Sequence, residues 1–269
     1  MRGVRLDTLL VERGLFPSRH RAQAAIMAGE VIVAGEPVHK AGQRFEPGVE
    51  ITVKPRKAAF VSRGGWKLAG ALDYFGVDPT GRVCLDAGAS TGGFTDCLLQ
   101  RGAIRVYAVD VGYGQLAWQL RQDERVQVME RTNIRHLQPA DLPERVDLVT
   151  VDVSFISLTK VFPALVQVMK VDADLLALVK PQFEAGPERV GKRGVVRDPA
   201  VHRAVLRNVI AAAENTGLQV VACHFSSLRG PEGNIEFWVH ARPMSGSAPV
   251  PDWEERVAQT VAAAHRILE

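Results

Sequence analysis

The sequence predicts an α/β protein in two parts, a small α+β segment followed by a larger doubly wound sheet. Three observations carry that prediction. From residue 82 onward, apolar runs of strand length alternate with stretches of helical period, the pattern of a mostly parallel sheet covered on both faces. Ahead of them, residues 1–57 combine short helical and hairpin patterns with an excess of basic side chains. The last two apolar runs are separated only by SLRGPEG, too short for a crossover helix, so they pair as an antiparallel hairpin. A chain of 269 residues has room for both parts and an ample core.

In the first part, Leu6, Leu9 and Leu10 form an i, i+3, i+4 stripe that Gly14 ends. Ser18 is the expected N-cap of a second helix, which Gly29 closes. Strands follow at residues 31–33 and 37–40 around Ala34, Gly35 and Glu36, and residues 49–53 complete a small sheet. The stretch KPRKAA reads as linker, and the boundaries are drawn as 1–57, a linker at 58–61, and 62–269. In the second part, strands are expected at 82–88, 105–111, 126–130, 146–153, 173–180, 218–226 and 234–241, with helices at 92–102, 157–170 and 199–217. In the tail, Asp252 and Glu255 have the spacing of a capping box, and Trp253, Val257 and Val261 form an apolar stripe, so a packed C-terminal helix is expected.

Composition narrows the classes. A hydrophobic fraction of 46% with 23% charged residues is that of an ordinary soluble protein. Cys84, Cys97 and Cys223 share no CxxC spacing and read as reduced thiols. The histidines have no ligand spacing, and no metal is expected. No apolar run approaches the ~20 residues of a membrane span, and no signal-type apolar segment opens the chain, so the expected compartment is the cytoplasm. Residues 1–60 carry ten Lys/Arg against six Asp/Glu, and the remainder 23 against 24. That asymmetry points to an anionic partner for the first part, against the simpler reading of a solvated basic surface. Arg19, His20 and Arg21 fall in the first turn of the second helix, where the helix dipole disfavours cations and a bound phosphate would resolve the conflict.

The stretch VCLDAGASTGGFTDCLL, residues 83–99, links the first strand of the larger part to a helix. Small residues at Gly88, Ala89, Gly92 and Gly93 let a ligand approach the backbone, and Asp86, Ser90 and Phe94 complete the expected cofactor turn. Asp110 ends the second strand, where a carboxylate can accept hydrogen bonds from both ribose hydroxyls, and Asn133 beyond the third is grouped with it. The turn is not a G-x-G-x-x-G fingerprint, holds no basic residue for a pyrophosphate, and is not followed by GK[ST]. An adenosyl ligand without phosphates, such as S-adenosylmethionine, fits these facts better than NAD.

SRGGWKL, DVSF, LVKP and GNIEFW set Lys67, Asp152, Lys180 and Glu236 close to the sheet edge where ligands bind. Their order and context resemble the Lys-Asp-Lys-Glu tetrad of the FtsJ-type RNA 2′-O-methyltransferases. Parallel strands followed by a closing hairpin is also the order of class I (Rossmann-like) methyltransferase domains. Residues 4–53 resemble the small RNA-binding module named after ribosomal protein S-four. With VDVGYGQLAWQLR after the second strand, nearly the whole chain resembles the TlyA (hemolysin A) family.

The resemblance implies S-adenosylmethionine-dependent methylation of a cytidine ribose in ribosomal RNA, in the large subunit and, for longer members, also in the small one. It implies Lys180 as general base, with Lys67 as the neighbouring cation that lowers its pKa and steadies the oxyanion. Asp152 and Glu236 would orient the lysines, with Asp152 also near the methyl donor. Arg5, Arg19, Arg21, Lys40 and Arg63 are the expected RNA contacts. Phe155, three residues after Asp152, either stacks on a displaced base or lies in the core beneath the next helix. Two other classes stay open on the sequence alone: an NAD-linked oxidoreductase, and a non-catalytic RNA-binding factor of ribosome assembly. The pore-forming role suggested by the hemolysin name lacks an apolar span.

Overall fold

A computed structural model describes residues 3–27, 29–53, 60–191, 193–244 and 252–268. The chain divides into two compact units, Met1–Ala59 and Phe60–Glu269. The stretch read as linker, residues 54–59, lies outside the described residues.

The first unit runs β1 (Val4–Arg5), α1 (Leu6–Glu12), α2 (Arg19–Met27), β2 (Val31–Val33), β3 (Glu36–Pro37), β4 (Arg44–Phe45) and β5 (Ile51–Val53). The α1 stripe is buried with Ala22, Ala25 and Ile26 of α2 and with Val31 and Val33, forming the unit's own core. Ser18 Oγ accepts from the Arg21 N–H at 3.4 Å, and Gly29 has φ 71° just past α2. Ala34 and Gly35, with φ 51° and 85°, make the two-residue left-handed turn between β2 and β3. The strand expected at 37–40 is only Glu36–Pro37, because the ladder ends with the bond from Val38 N–H to Val31 O before the chain turns towards β4. β1 pairs with β4, and two-residue strands carry no periodicity that a sequence reading could detect.

The second unit runs α3 (Arg63–Phe75), β6 (Val83–Ala87), α4 (Gly93–Gln100), β7 (Arg105–Val109), α5 (Trp118–Arg121), β8 (Val126–Met129), β9 (Val146–Val151), α6 (Phe162–Val168), β10 (Met169–Val179), α7 (Pro181–Glu184), α8 (Pro199–Asn215), β11 (Leu218–Phe225), β12 (Phe237–Pro243) and α9 (Trp253–Leu268). Its seven strands form one sheet in the order β11-β12-β10-β9-β6-β7-β8. β12 is antiparallel to both neighbours and the other pairings are parallel. One apolar layer joins α3, α4 and α5 to the sheet through Leu68, Leu72, Leu98 and Leu120. The other joins α6, α8 and α9 through Leu165, Leu206, Val257 and Val261. Burying both faces explains why the central strands read as continuous apolar runs.

Three details depart from the sequence reading. Residues 157–170 are not one helix: a 3-10 turn at Leu158–Lys160 precedes α6, and Met169 already pairs with Val146, so strand pairing overrides the helical period. The sequence reading assigned no helix to residues 63–75. There the Ser62 side chain accepts from Gly64 N–H, Leu68 and Leu72 are buried, and Gly76 at φ 65° closes α3. In α9 the Asp252 carboxylate accepts from the Glu254 and Glu255 N–H groups, while the Glu255 side chain bonds Gln259, so the reciprocal half of a capping box is not made. Among the described residues no helix is long and apolar enough to cross a membrane.

Candidate active site

The antiparallel entry of β12 brings its N-terminal end to the edge where β6, β9 and β10 end. A cleft of ≈ 740 Å³ opens there, within the size range of small-ligand sites. Lys67, Asp152, Lys180 and Glu236 all line it, as do Gly88, Ala89, Ser90, Gly93 and Phe94 of the turn. Gly88 adopts φ 91°, and a Cβ there would stand 2.7 Å from the Asp152 carbonyl. The turn therefore packs directly on the end of β9, which only glycine permits.

Each lysine has a carboxylate. Lys67 Nζ donates to Glu236 Oε2 at 2.5 Å, with side-chain exposures of 9% and 1%, so this pair is withdrawn from water. Burial pushes the Glu236 carboxyl above its ordinary range, against the pull of the Lys67 charge, and Asp152 pushes the same way as burial. Lys180 Nζ lies 2.6 Å from Asp152 Oδ1, and donates its hydrogen bond to Ser154 Oγ at 2.9 Å. The cleft thus holds one closed, dry ion pair and one more open one. Two donors of positive charge fixed at a crevice suit a reaction in which an oxyanion develops.

Four of the expected cofactor residues do not line the cleft. Asp86 is fully buried; its Oδ2 accepts from the Thr95 N–H at 2.8 Å and the Thr95 hydroxyl at 2.7 Å, and burial raises its pKa to about 7. It fastens the start of α4 to the end of β6 and is not itself a lining residue, so a direct cofactor contact is corrected. Gly92, at φ 97°, faces Leu116 and Leu120. Asp110 accepts from Ser90 N–H at 2.8 Å and Gly112 N–H at 2.6 Å, holding the turn from behind. Asn133 caps a short 3-10 helix by accepting from Arg135 N–H.

The expected RNA contacts also separate. Arg63 lines the cleft and Phe155 does too, with the residue 91% exposed, which excludes the core reading. Phe155 has φ 61° and lies 5.0 Å from the ring of Phe183. In the first unit, Arg5 and Arg19 both bond the buried Asp7, at 3.0 Å and 2.9 Å, and Gln23 adds a third donor. These partners hold the Asp7 carboxyl well below the usual carboxylate range, the hydrogen bonds from Arg5 contributing most. Arg19 therefore has its counter-ion inside the unit, and the phosphate expected to resolve its conflict with the helix dipole is not needed for that purpose. Arg21 and Lys40 are exposed.

Sequence reasoning missed Ser154, the hydrogen-bond partner of Lys180, and the cleft-lining Ser62, Gln182 and Phe183. Ser154 and Phe183 lie two and three residues from Asp152 and Lys180, and that proximity was the available signal. It also missed Glu184, whose carboxylate accepts from Ser157 Oγ at 2.6 Å and Leu158 N–H at 2.8 Å and so ties the segment after Phe155 to α7.

Residues 60–243 match the FtsJ-like methyltransferase family and residues 4–51 match the S4 domain. The chain is 49% identical to the 16S/23S rRNA (cytidine-2'-O)-methyltransferase TlyA of Mycobacterium tuberculosis, with 92% of each chain covered. It is 39% identical to Hemolysin A of Brachyspira hyodysenteriae, over 88% of this chain and 99% of the relative. A solved structure of a candidate hemolysin from Streptococcus thermophilus superposes with a TM-score of 0.74 at 43% identity, covering 99% of this chain and 97% of the other. With an S4 domain followed by an FtsJ-like domain, the chain belongs to the FtsJ-like methyltransferases and, among them, to the TlyA (hemolysin A) family.

Proposed function

We propose that this chain uses S-adenosylmethionine to methylate the ribose 2′-hydroxyl of a cytidine in ribosomal RNA, acting on ribosomal subunits in the cytoplasm without a metal. The observation that carries the reading is the pairing of Lys67 with Glu236 and of Lys180 with Asp152 in one cleft beside the glycine turn. The substrate class is taken from the Mycobacterium relative, whose name specifies that reaction on both subunits.

The turn suits the cofactor, since Ala89, Ser90, Gly93 and Phe94 line the cleft and no cation stands within Gly88–Phe94 to receive a pyrophosphate. Those residues, with Asp152, would hold it. S-adenosylmethionine supplies an electrophilic methyl group there. A ribose hydroxyl is a poor nucleophile and must lose its proton as it attacks. Lys180, positioned by Ser154 and Asp152, takes that proton. Lys67, fixed by Glu236, keeps a positive charge beside the developing oxyanion. The remaining rate comes from alignment of the reacting atoms. Phe155 and Phe183 offer ring faces for the displaced base, while Arg21 and Lys40 of the first unit and Arg63 of the second supply phosphate contacts. Residues 1–57 would add RNA affinity, and residues 62–269 the chemistry.

The test is incubation with purified small and large ribosomal subunits and methyl-labelled cofactor, followed by mapping of the modified nucleotide. Lys180→Ala should abolish transfer while calorimetry shows cofactor binding unchanged. Near-normal turnover of that variant would remove Lys180 from its role. Saturable binding of NAD in place of S-adenosylmethionine would favour the oxidoreductase reading.

A further inference from the structure

Beside the cleft, between α7 and α8, two backbone bonds make a turn: Gly191 N–H bonds Val195 O at 3.1 Å and Gly194 N–H bonds Gly191 O at 2.9 Å. Its residues serve two surfaces. Val190 and Gly194 line the catalytic cleft, whereas Arg189, Arg193, Arg197 and Asp198 line a separate concavity of ≈ 470 Å³. Three arginines and one aspartate line it, with no ion pair between them among the described residues, and the Asp198 carboxylate accepts the Ala200 N–H as the N-cap of α8. Among the described residues the one ion pair of Arg189 is a 3.8 Å contact with Glu188. Arg193 and Arg197 make no ion pair or side-chain hydrogen bond among the described residues.

Clustered guanidinium groups that outnumber the carboxylates beside them repel one another, and a phosphodiester relieves that repulsion through bidentate hydrogen bonds. The turn is not free to drift from the cleft. Asn234, fully buried, accepts from Val196 N–H at 2.9 Å and donates to Gly194 O at 2.8 Å. Asn234 lies two residues before Glu236, so the arginine concavity is tied to the strand that delivers a cleft carboxylate.

We propose that Arg189, Arg193 and Arg197 form a binding site for a backbone phosphate of the RNA strand that carries the target nucleotide. The proposal rests on the RNA-directed reading above and extends it. The site grips the chain beside the displaced nucleotide and so sets which ribose reaches Lys180. Asn234 keeps the distance between that grip and the cleft.

Arg193→Gln and Arg197→Gln, made in the full chain, remove one charge each, and Arg266→Gln on the exposed face of α9 removes one elsewhere. RNA affinity is measured against ribosomal RNA across a salt series, and cofactor affinity by calorimetry. Each of the first two variants should weaken RNA binding several-fold and reduce the slope of log affinity against log salt by about 0.7–0.9, as loss of one phosphate contact requires. Arg266→Gln should leave the slope unchanged, and cofactor binding should be equal in all three. Wild-type slopes in both Arg193→Gln and Arg197→Gln would overturn the site. An equal change in Arg266→Gln would also overturn it, by showing a diffuse charge effect. The binding readout does not depend on methyl transfer. An inactive wild type would therefore refute the proposed reaction while leaving the phosphate site to stand or fall on the slopes.

Discussion

Replacing Phe155 by glycine separates function from stability in one substitution. The residue is 91% exposed and sits at φ 61°, a left-handed conformation that a bulky side chain adopts only under constraint. With about 200 Å² on a phenylalanine side chain, the buried tenth is about 20 Å², and its loss costs about 0.5 kcal/mol. Relief of the left-handed backbone returns about 1–2 kcal/mol. The added freedom of the unfolded chain takes back about 0.5–1 kcal/mol. The net effect is within about 1 kcal/mol of zero, a shift of no more than about 4 °C in the melting temperature of a unit this size. If the ring stacks on the displaced base, its removal costs about 1–3 kcal/mol in the transition state, or about 5- to 150-fold in kcat/KM. Thermal unfolding and initial-rate methylation of ribosomal subunits measure the two effects separately. A fall in stability of about 3 kcal/mol or more would mean that the ring packs like a core residue and would refute the reasoning. Undiminished kcat/KM would refute the stacking role.

Asp86 should give the enzyme a pH-dependent stability. Its carboxyl is pushed up to about 7 by burial, so the folded chain holds a proton that the unfolded chain releases above about 4. Stability is therefore fullest below about 4 and declines as pH rises towards about 7. Asp86→Asn keeps an acceptor for Thr95, so its melting temperature should exceed that of the wild type at pH 8 and lack this decline, whereas parallel pH profiles would show that the carboxyl is not perturbed. For the buried ion pair, Lys67→Met strands the Glu236 carboxyl and should cost about 3–5 kcal/mol by urea unfolding, much of which Lys67→Met combined with Glu236→Gln should restore. Strictly additive losses would mean that the two groups are not coupled.

The sheet was legible because its strands are buried on both faces and bounded by glycine or polar turns; all seven were expected, although β10 begins at Met169 against an expected 173 and β12 at Phe237 against an expected 234. The cleft lysines and carboxylates were legible through motif context, yet their partnering was not. Lys67 meets Glu236 across a separation of 169 residues, and that contact depends on α3 packing against the sheet. Asp86 looked like a ligand residue because it ends a strand before a glycine turn, but the hydrogen bonds from Thr95 turn it inward. Asp7 drew no notice, since an aspartate in a helical polar position ordinarily faces water. Its burial follows from where Arg5, Arg19 and Gln23 converge, which no periodicity encodes. The β10 start was misread for a similar reason, as Met169 and Lys170 continue a helical period while Val146 offers a strand partner.

The place of β12 between β10 and β11 has a consequence for how the enzyme comes into being. Among the described residues β12 is the last strand in chain order, and β11 has no other neighbour in the sheet. β11 joins the sheet only through β12, so on a growing chain it can gain that pairing only once β12 has emerged. Lys67 waits as long for Glu236, which directly precedes β12. Vectorial synthesis thus assembles the cleft from residues made far apart in time, and a chain that stops short of Glu236 is born without a finished site.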